Sequence, residues 1–101
     1  MRKTYALMQV ATELLADSAG KHYGYDLAKK SGVRSGVLYP MLTRMAEAGW
    51  VTDGWEDPAT IKGRPPRRYY ELTEEGILRL GGLIEEARSD TRFASLRERW
   101  I

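Results

Sequence analysis

The chain has 101 residues with 16 lysines and arginines against 14 aspartates and glutamates, a net charge of +2. That length supports one hydrophobic core and leaves no room for a catalytic domain beside a regulatory one. With no cysteine and a single histidine, His22, disulfides, cysteine-rich zinc sites and histidine-clustered metal centres within one chain are excluded. No cofactor and no metal are expected. Gln9, Thr12 and Glu13 interrupt the first apolar run, so it does not read as a signal-peptide core. No stretch reaches the roughly 18–20 apolar residues of a membrane span, and the sequence reads as cytoplasmic.

Leu7, Val10, Ala11, Leu14 and Leu15 fall at helical spacing, which predicts an amphipathic first helix over Thr4–Ser18. Gly20 is the expected left-handed cap. A short second helix over Tyr23–Ser31 follows, with Tyr25, Leu27 and Ala28 inward and Lys29 and Lys30 favourable to the dipole at its C-terminal end. Gly32 offers the positive φ of a tight exit.

Ser35 is the expected N-cap of a third helix. Leu38, Met41, Leu42 and Met45 share one face by the i, i+3, i+4, i+7 rule. Gly36, Val37, Pro40, Thr43, Arg44 and Glu47 share the other, with Tyr39 on its flank. Pro40 conflicts with helix propensity, because an interior proline removes a backbone bond and crowds the preceding turn. Gly49 closes the helix.

Trp50–Thr52 and Gly54–Glu56 read as one strand and Arg67–Leu72 as the next, with Trp50 and Trp55 as packing residues. The connecting stretch, Asp57–Pro66, is long for a hairpin, and long loops tend to carry function. Between Asp57 and Glu71 every charged residue is a cation: Lys62, Arg64, Arg67 and Arg68. Thr73 caps a last helix with Glu74 and Glu75 in its first turn. Ile77, Leu80, Ile84 and Ala87 step by three or four residues, Ser89–Asp90 breaks the pattern, and Phe93, Leu96 and Trp100 resume it. This spacing is coiled-coil-like, weakened by Gly81-Gly82 at roughly 1 kcal/mol each relative to alanine.

Two helices joined by a short glycine turn can form a helix-turn-helix, whose second helix enters the DNA major groove. Here the third helix of the chain takes that place. Arg34, Ser35, Gly36, Val37, Tyr39, Pro40, Thr43 and Arg44 are the expected contact residues; arginine pairs bidentately with guanine, and small apolar groups meet thymine methyls. The basic hairpin tip, Lys62, Arg64, Arg67 and Arg68, suits phosphates or a minor groove. Carboxylates occur near it (Asp53, Glu56, Asp57), but without a histidine or a phosphate-cradling glycine loop beside them. An enzyme is therefore not expected.

Tyr23-Gly24-Tyr25-Asp26-Leu27, Ser35-Gly36-Val37-Leu38-Tyr39-Pro40-Met41-Leu42 and the run Gly63-Arg64-Pro65-Pro66-Arg67-Arg68-Tyr69-Tyr70-Glu71-Leu72-Thr73-Glu74-Glu75-Gly76, in that order and spacing, resemble the PadR family of transcriptional regulators. The resemblance covers about Tyr5 to Gly76 and points to the short subclass with a single C-terminal helix. It implies a mainly helical fold with a small β-hairpin: a winged helix-turn-helix over 1–73 and a C-terminal dimerisation helix over 74–101. It also implies a repressor that binds double-stranded DNA as a homodimer, with a near-palindromic operator and with Ile77, Leu80, Ile84, Ala87, Phe93, Leu96 and Trp100 as the expected dimer interface. It accounts for Pro40, since the family places a proline inside this helix. A small apolar or aromatic effector is a further partner that the resemblance implies. Pro66 departs from the family pattern by lengthening the tip, and Ser35 stands where a proline or an acid is common. The competing reading is a winged-helix module that binds an acidic protein and has no DNA affinity.

Overall fold

The computed structural model describes residues 1–100. Its elements run α1 (Tyr5–Ala16), β1 (His22–Tyr23), α2 (Gly24–Ser31), α3 (Ser35–Glu47), β2 (Val51–Trp55), a 3-10 turn (Pro58–Thr60), β3 (Arg68–Leu72), α4 (Glu74–Ala87) and a 3-10 segment (Thr91–Trp100) kinked at Phe93. The fold is mainly helical with a three-stranded antiparallel sheet in the order β1-β3-β2. The hairpin expected from the sequence is present. The third strand, β1, is two residues long and pairs His22 and Tyr23 with Tyr70 and Tyr69.

Local chemistry sets most boundaries. The Thr4 hydroxyl accepts from the Leu7 amide at the start of α1, and the Thr73 hydroxyl accepts from the Gly76 amide at the start of α4. The same Thr73 hydroxyl donates to the Gly49 carbonyl at 2.6 Å, which ties the fourth helix to the end of the third. A side chain at Gly76 would overlap the Trp50 carbonyl, so this junction admits only glycine. Gly32, Gly49 and Gly63 take positive φ, as tight exits require. Gly20 does not; α1 ends earlier, with Asp17 as its C-cap. Ser35 is the first residue of α3 rather than its cap, and Arg34 precedes it with extended backbone and no capping side chain.

One core unites the chain. Leu7, Met8, Val10, Ala11 and Leu14 of α1 meet Leu27 of α2, Leu38, Met41, Leu42 and Met45 of α3, and Val51 and Tyr70 of the sheet. Leu80, Ile84, Ala87, Phe93, Leu96 and Trp100 are buried in that same cluster. The expected dimer interface draws on the same elements. Of the seven residues assigned to it, only Ile77 is exposed. The three-four spacing marks an apolar face, and α1 of the same chain covers it: both α4 and the 3-10 segment pack on α1. Trp100, 6% exposed, donates its indole N–H to the Thr12 hydroxyl at 2.8 Å, and Thr12 donates in turn to the Met8 carbonyl. Tyr25, expected inward, is 69% exposed. No helix among the described residues is long and apolar enough to cross a membrane.

Candidate nucleic-acid interface

The helix-turn-helix pair is α2 and α3. Gly32 closes α2 with a left-handed backbone and its amide donates to the Ala28 carbonyl, while the Ser31 hydroxyl accepts from the Val33 amide. These bonds fix a three-residue turn, and Leu27, Val33 and Leu38 bury the seam between the helices. The inner face of α3 is Leu38, Met41, Leu42 and Met45. Arg34, Ser35, Gly36, Val37, Tyr39, Pro40, Thr43 and Arg44 are all exposed on its outer side. The structure therefore brings the eight expected helix residues together on one open surface.

Pro40 sits inside α3. Its ring opposes the carbonyl of Gly36, four residues earlier, where a proline crowds the helix most. The Gly36 carbonyl lies in the first turn, on the exposed side, where water can satisfy it. One turn later the Thr43 hydroxyl donates to the Tyr39 carbonyl at 3.0 Å. Tyr39 lies with its ring on the backbone of Gly24, where any side chain would collide with its hydroxyl end. This contact locks the second turn of α3 onto the first residue of α2. Among the described residues, neither Arg34 nor Arg44 is held in an ion pair.

The β2–β3 hairpin forms the wing. Directly paired residues of an antiparallel ladder share a face. Val51–Leu72, Asp53–Tyr70 and Trp55–Arg68 thus form one face, which rests on the helices at its base, and Thr52–Glu71 and Gly54–Tyr69 form the other. The backbone ladder continues one step, from the Glu56 amide to the Arg67 carbonyl. The four wing cations do not make one continuous patch. Arg64 donates two hydrogen bonds to Glu56, at 2.7 and 3.0 Å, and Arg68 is paired with Asp53. Acids on the facing strand thus neutralise two of the four, a pairing hidden from a reading of the loop in isolation. Among the described residues, Lys62 and Arg67 are outside any ion pair. Trp55, expected to pack, is 61% exposed, with the Arg68 guanidinium 5.3 Å from its ring centre.

Glu56 is the latch of the wing. Its Oε1 accepts from Arg64 and from the backbone amide of Arg67 at 2.8 Å. The Arg64 hydrogen bond, helped by the Arg67 amide, lowers its pKa from 4.5 to about 2. A carboxylate with a lowered folded pKa contributes stability above its unfolded value and loses it as pH falls through the folded value. The latch is therefore expected to hold from neutrality through pH 4 and to open only near pH 2. The Arg67 amide resonance, followed by NMR, should titrate near 2 and show no inflection near 4.5; Glu56→Gln should remove the titration.

The model of the transcriptional regulator PadR-like family matches residues 13–81. Among solved structures, the chain is similar to a PadR family transcription regulator from Clostridium difficile, with 26% identity, 84% of this chain and 88% of that chain covered, and a TM-score of 0.69. It is similar to a protein from Streptococcus mutans, with 27% identity, coverage of 80% and 76%, and a TM-score of 0.65. It is also similar to a PadR-like transcription factor from Bacteroides fragilis, with 27% identity, 87% of each chain covered, and a TM-score of 0.64. No curated protein sequence matches the chain. The family match spans α2, the turn, α3, the wing and the first half of α4, which carry the geometry described above. The chain belongs to the PadR-like family of transcriptional regulators.

Proposed function

We propose that this regulator is a cytoplasmic repressor that binds a near-palindromic operator as a homodimer. The carrying observation is the outer face of α3: Arg34, Ser35, Gly36, Val37, Tyr39, Pro40, Thr43 and Arg44 stand together, open, and with both arginines outside any intramolecular ion pair among the described residues. Arg44 and Thr43 supply hydrogen bonds to base edges, and Val37 and Pro40 supply apolar contact to thymine methyls. Lys62, Arg64, Arg67 and Arg68 of the wing meet the neighbouring phosphates or the minor groove. The role is regulatory and not catalytic.

The second copy docks through the outer side of α4, where Ile77 and Leu78 are exposed. Their neighbours Leu80, Ile84 and Ala87, with Phe93, Leu96 and Trp100, support that helix from within the protomer. A two-fold dimer places the two α3 helices at half-sites about one helical turn apart.

The test is binding of a labelled duplex from upstream of the protein's own gene, set against unrelated duplex at several salt concentrations. Selective binding is expected, with a footprint of two half-sites and a steep fall in affinity with salt. Equal, weak binding to both duplexes across all upstream fragments would leave the module that binds an acidic protein as the better account.

A further inference from the structure

Trp55 is the anomaly of the wing. A tryptophan carries one of the largest apolar surfaces of any side chain, commonly 150–250 Å², yet here it stands 61% exposed on a hairpin tip. Its orientation is nevertheless fixed. It pairs directly with Arg68 in the strand ladder, and the Arg68 guanidinium lies over its ring at 5.3 Å. Arg68 is held in turn by Asp53, which pairs with Tyr70 on the same face of the sheet.

This face leads toward the helix-turn-helix. At its base, Val51 and Tyr70 join the core with Leu38, Met41 and Leu42 of α3. The Tyr70 phenol is pushed to higher pKa chiefly by burial; nearby Arg68 opposes that shift and Tyr39 of α3 adds to it. A row therefore runs from the outer end of β2 to the second turn of α3: Trp55, Arg68, Asp53, Tyr70, Tyr39. Its outer end carries the exposed indole and the Arg68–Asp53 ion pair, on the side of the sheet on which α3 packs.

We propose that Trp55 is a DNA-contact residue, its indole lying against the deoxyribose of the backbone strand that passes between the wing and α3, with Arg68 exchanging Asp53 for the adjacent phosphate. This rests on the DNA-binding reading above. The chemistry of the row favours a nucleic-acid backbone over a protein surface. Sugar rings offer an apolar flank to the indole, and the phosphates on either side of each sugar suit the cations next to it: Arg68 on the same face, and Arg67 and Lys62 at the tip. Contacts to sugar and phosphate set the register of a protein on its duplex. The side chain is held in place before DNA arrives, which lowers the ordering cost of the contact.

The experiment uses the full chain and the operator duplex defined above. Trp55→Leu keeps an apolar side chain on an exposed site and should leave the melting temperature unchanged. It is expected to weaken operator binding by about fivefold to tenfold, equivalent to about 1–1.4 kcal/mol. The salt slope should stay close to that of the natural chain, since no phosphate contact is deleted. Trp55→Phe should recover part of the loss. Acrylamide quenching of tryptophan fluorescence should fall when operator is added to the natural chain, and this protection should vanish in Trp55→Leu. Operator affinity unchanged in Trp55→Leu, or protection that persists in it, would overturn the assignment while leaving DNA binding intact. Loss of self-association on sedimentation, with operator affinity per dimer unchanged, would make Trp55 a contact between copies and would overturn it as well. Absence of selective binding by the natural chain would remove the DNA reading itself.

Discussion

Trp100→Ala is expected to lower the unfolding free energy by about 3–5 kcal/mol, the range for truncating a large buried aromatic side chain. The indole is 6% exposed and is part of the one core of the chain. Its N–H donates to Thr12, whose hydroxyl is itself buried and spent on the Met8 carbonyl. Alanine would remove the packing between the 3-10 segment and α1 and would leave Thr12 without its donor. A loss of this size is a large fraction of the roughly 5–15 kcal/mol that holds a small domain together. Equilibrium unfolding in urea at fixed protein concentration measures it, with the slope against denaturant close to that of the natural chain. Thr12→Val offers a milder companion: it keeps the volume and deletes the hydroxyl, and a loss of about 1–3 kcal/mol is expected because the indole N–H is left buried and unpaired. Were Trp100 instead a contact between two copies, Trp100→Ala would dissociate the dimer and leave the unfolding of the protomer nearly as it was.

That contrast marks where the sequence is legible and where it is not. The period of α3 reports its two faces correctly because the core side of a helix needs an unbroken apolar stripe, and Leu38, Met41, Leu42 and Met45 supply one. Gly32 and Thr73 are readable for the same reason: a positive φ and a helix N-cap each admit few residue types. The apolar stripe of α4 and the 3-10 segment is equally visible, but a stripe says only that something covers it. Spacing cannot separate α1 of the same chain from a second copy. Tyr25 fails differently, since a single aromatic on an eight-residue helix has no repeat to fix its side. Strand β1 has two residues, too few for any period, and is specified only by its partner Tyr69–Tyr70. Gly20 and Ser35 are residue types compatible with caps, and neighbouring residues took those positions.

The wing shows a third kind of limit. Charges counted along the loop make a run of four cations, while charges in space make, among the described residues, two paired and two outside any ion pair. Glu56 and Asp53 belong to the strand before the loop, and only the ladder register sets them opposite Arg67 and Tyr70, beside Arg64 and Arg68. The exposed pairing of Trp55 with Arg68 depends on the same register. Sequence composition thus located the wing, and the folding of the hairpin decided which of its charges face outward unpaired.

Removing the two unpaired cations together, in Lys62→Ala with Arg67→Ala, is expected to weaken operator binding by about tenfold to a hundredfold near physiological salt, and to flatten the slope of log affinity against log salt by about 2. Each cation that neutralises one phosphate contributes about 0.9 to that slope on duplex DNA, and among the described residues neither cation has an ion-pair partner to give up first. Arg64→Ala should act less on affinity, because Arg64 is already held by two hydrogen bonds to Glu56 and must trade them for a phosphate. Its larger effect should be on the shape of the tip, through the loss of the latch. Phosphate contacts carry no sequence information, so the double variant should lose affinity for unrelated duplex by a similar factor. Arg44→Ala should do the reverse, costing about 1–3 kcal/mol on the operator alone. Titrations of the three variants against both duplexes at several salt concentrations measure all of this. A double variant that keeps the natural salt slope would place Lys62 and Arg67 away from the phosphates. The wing's contact would then rest on the face that carries Arg68 and Trp55 alone.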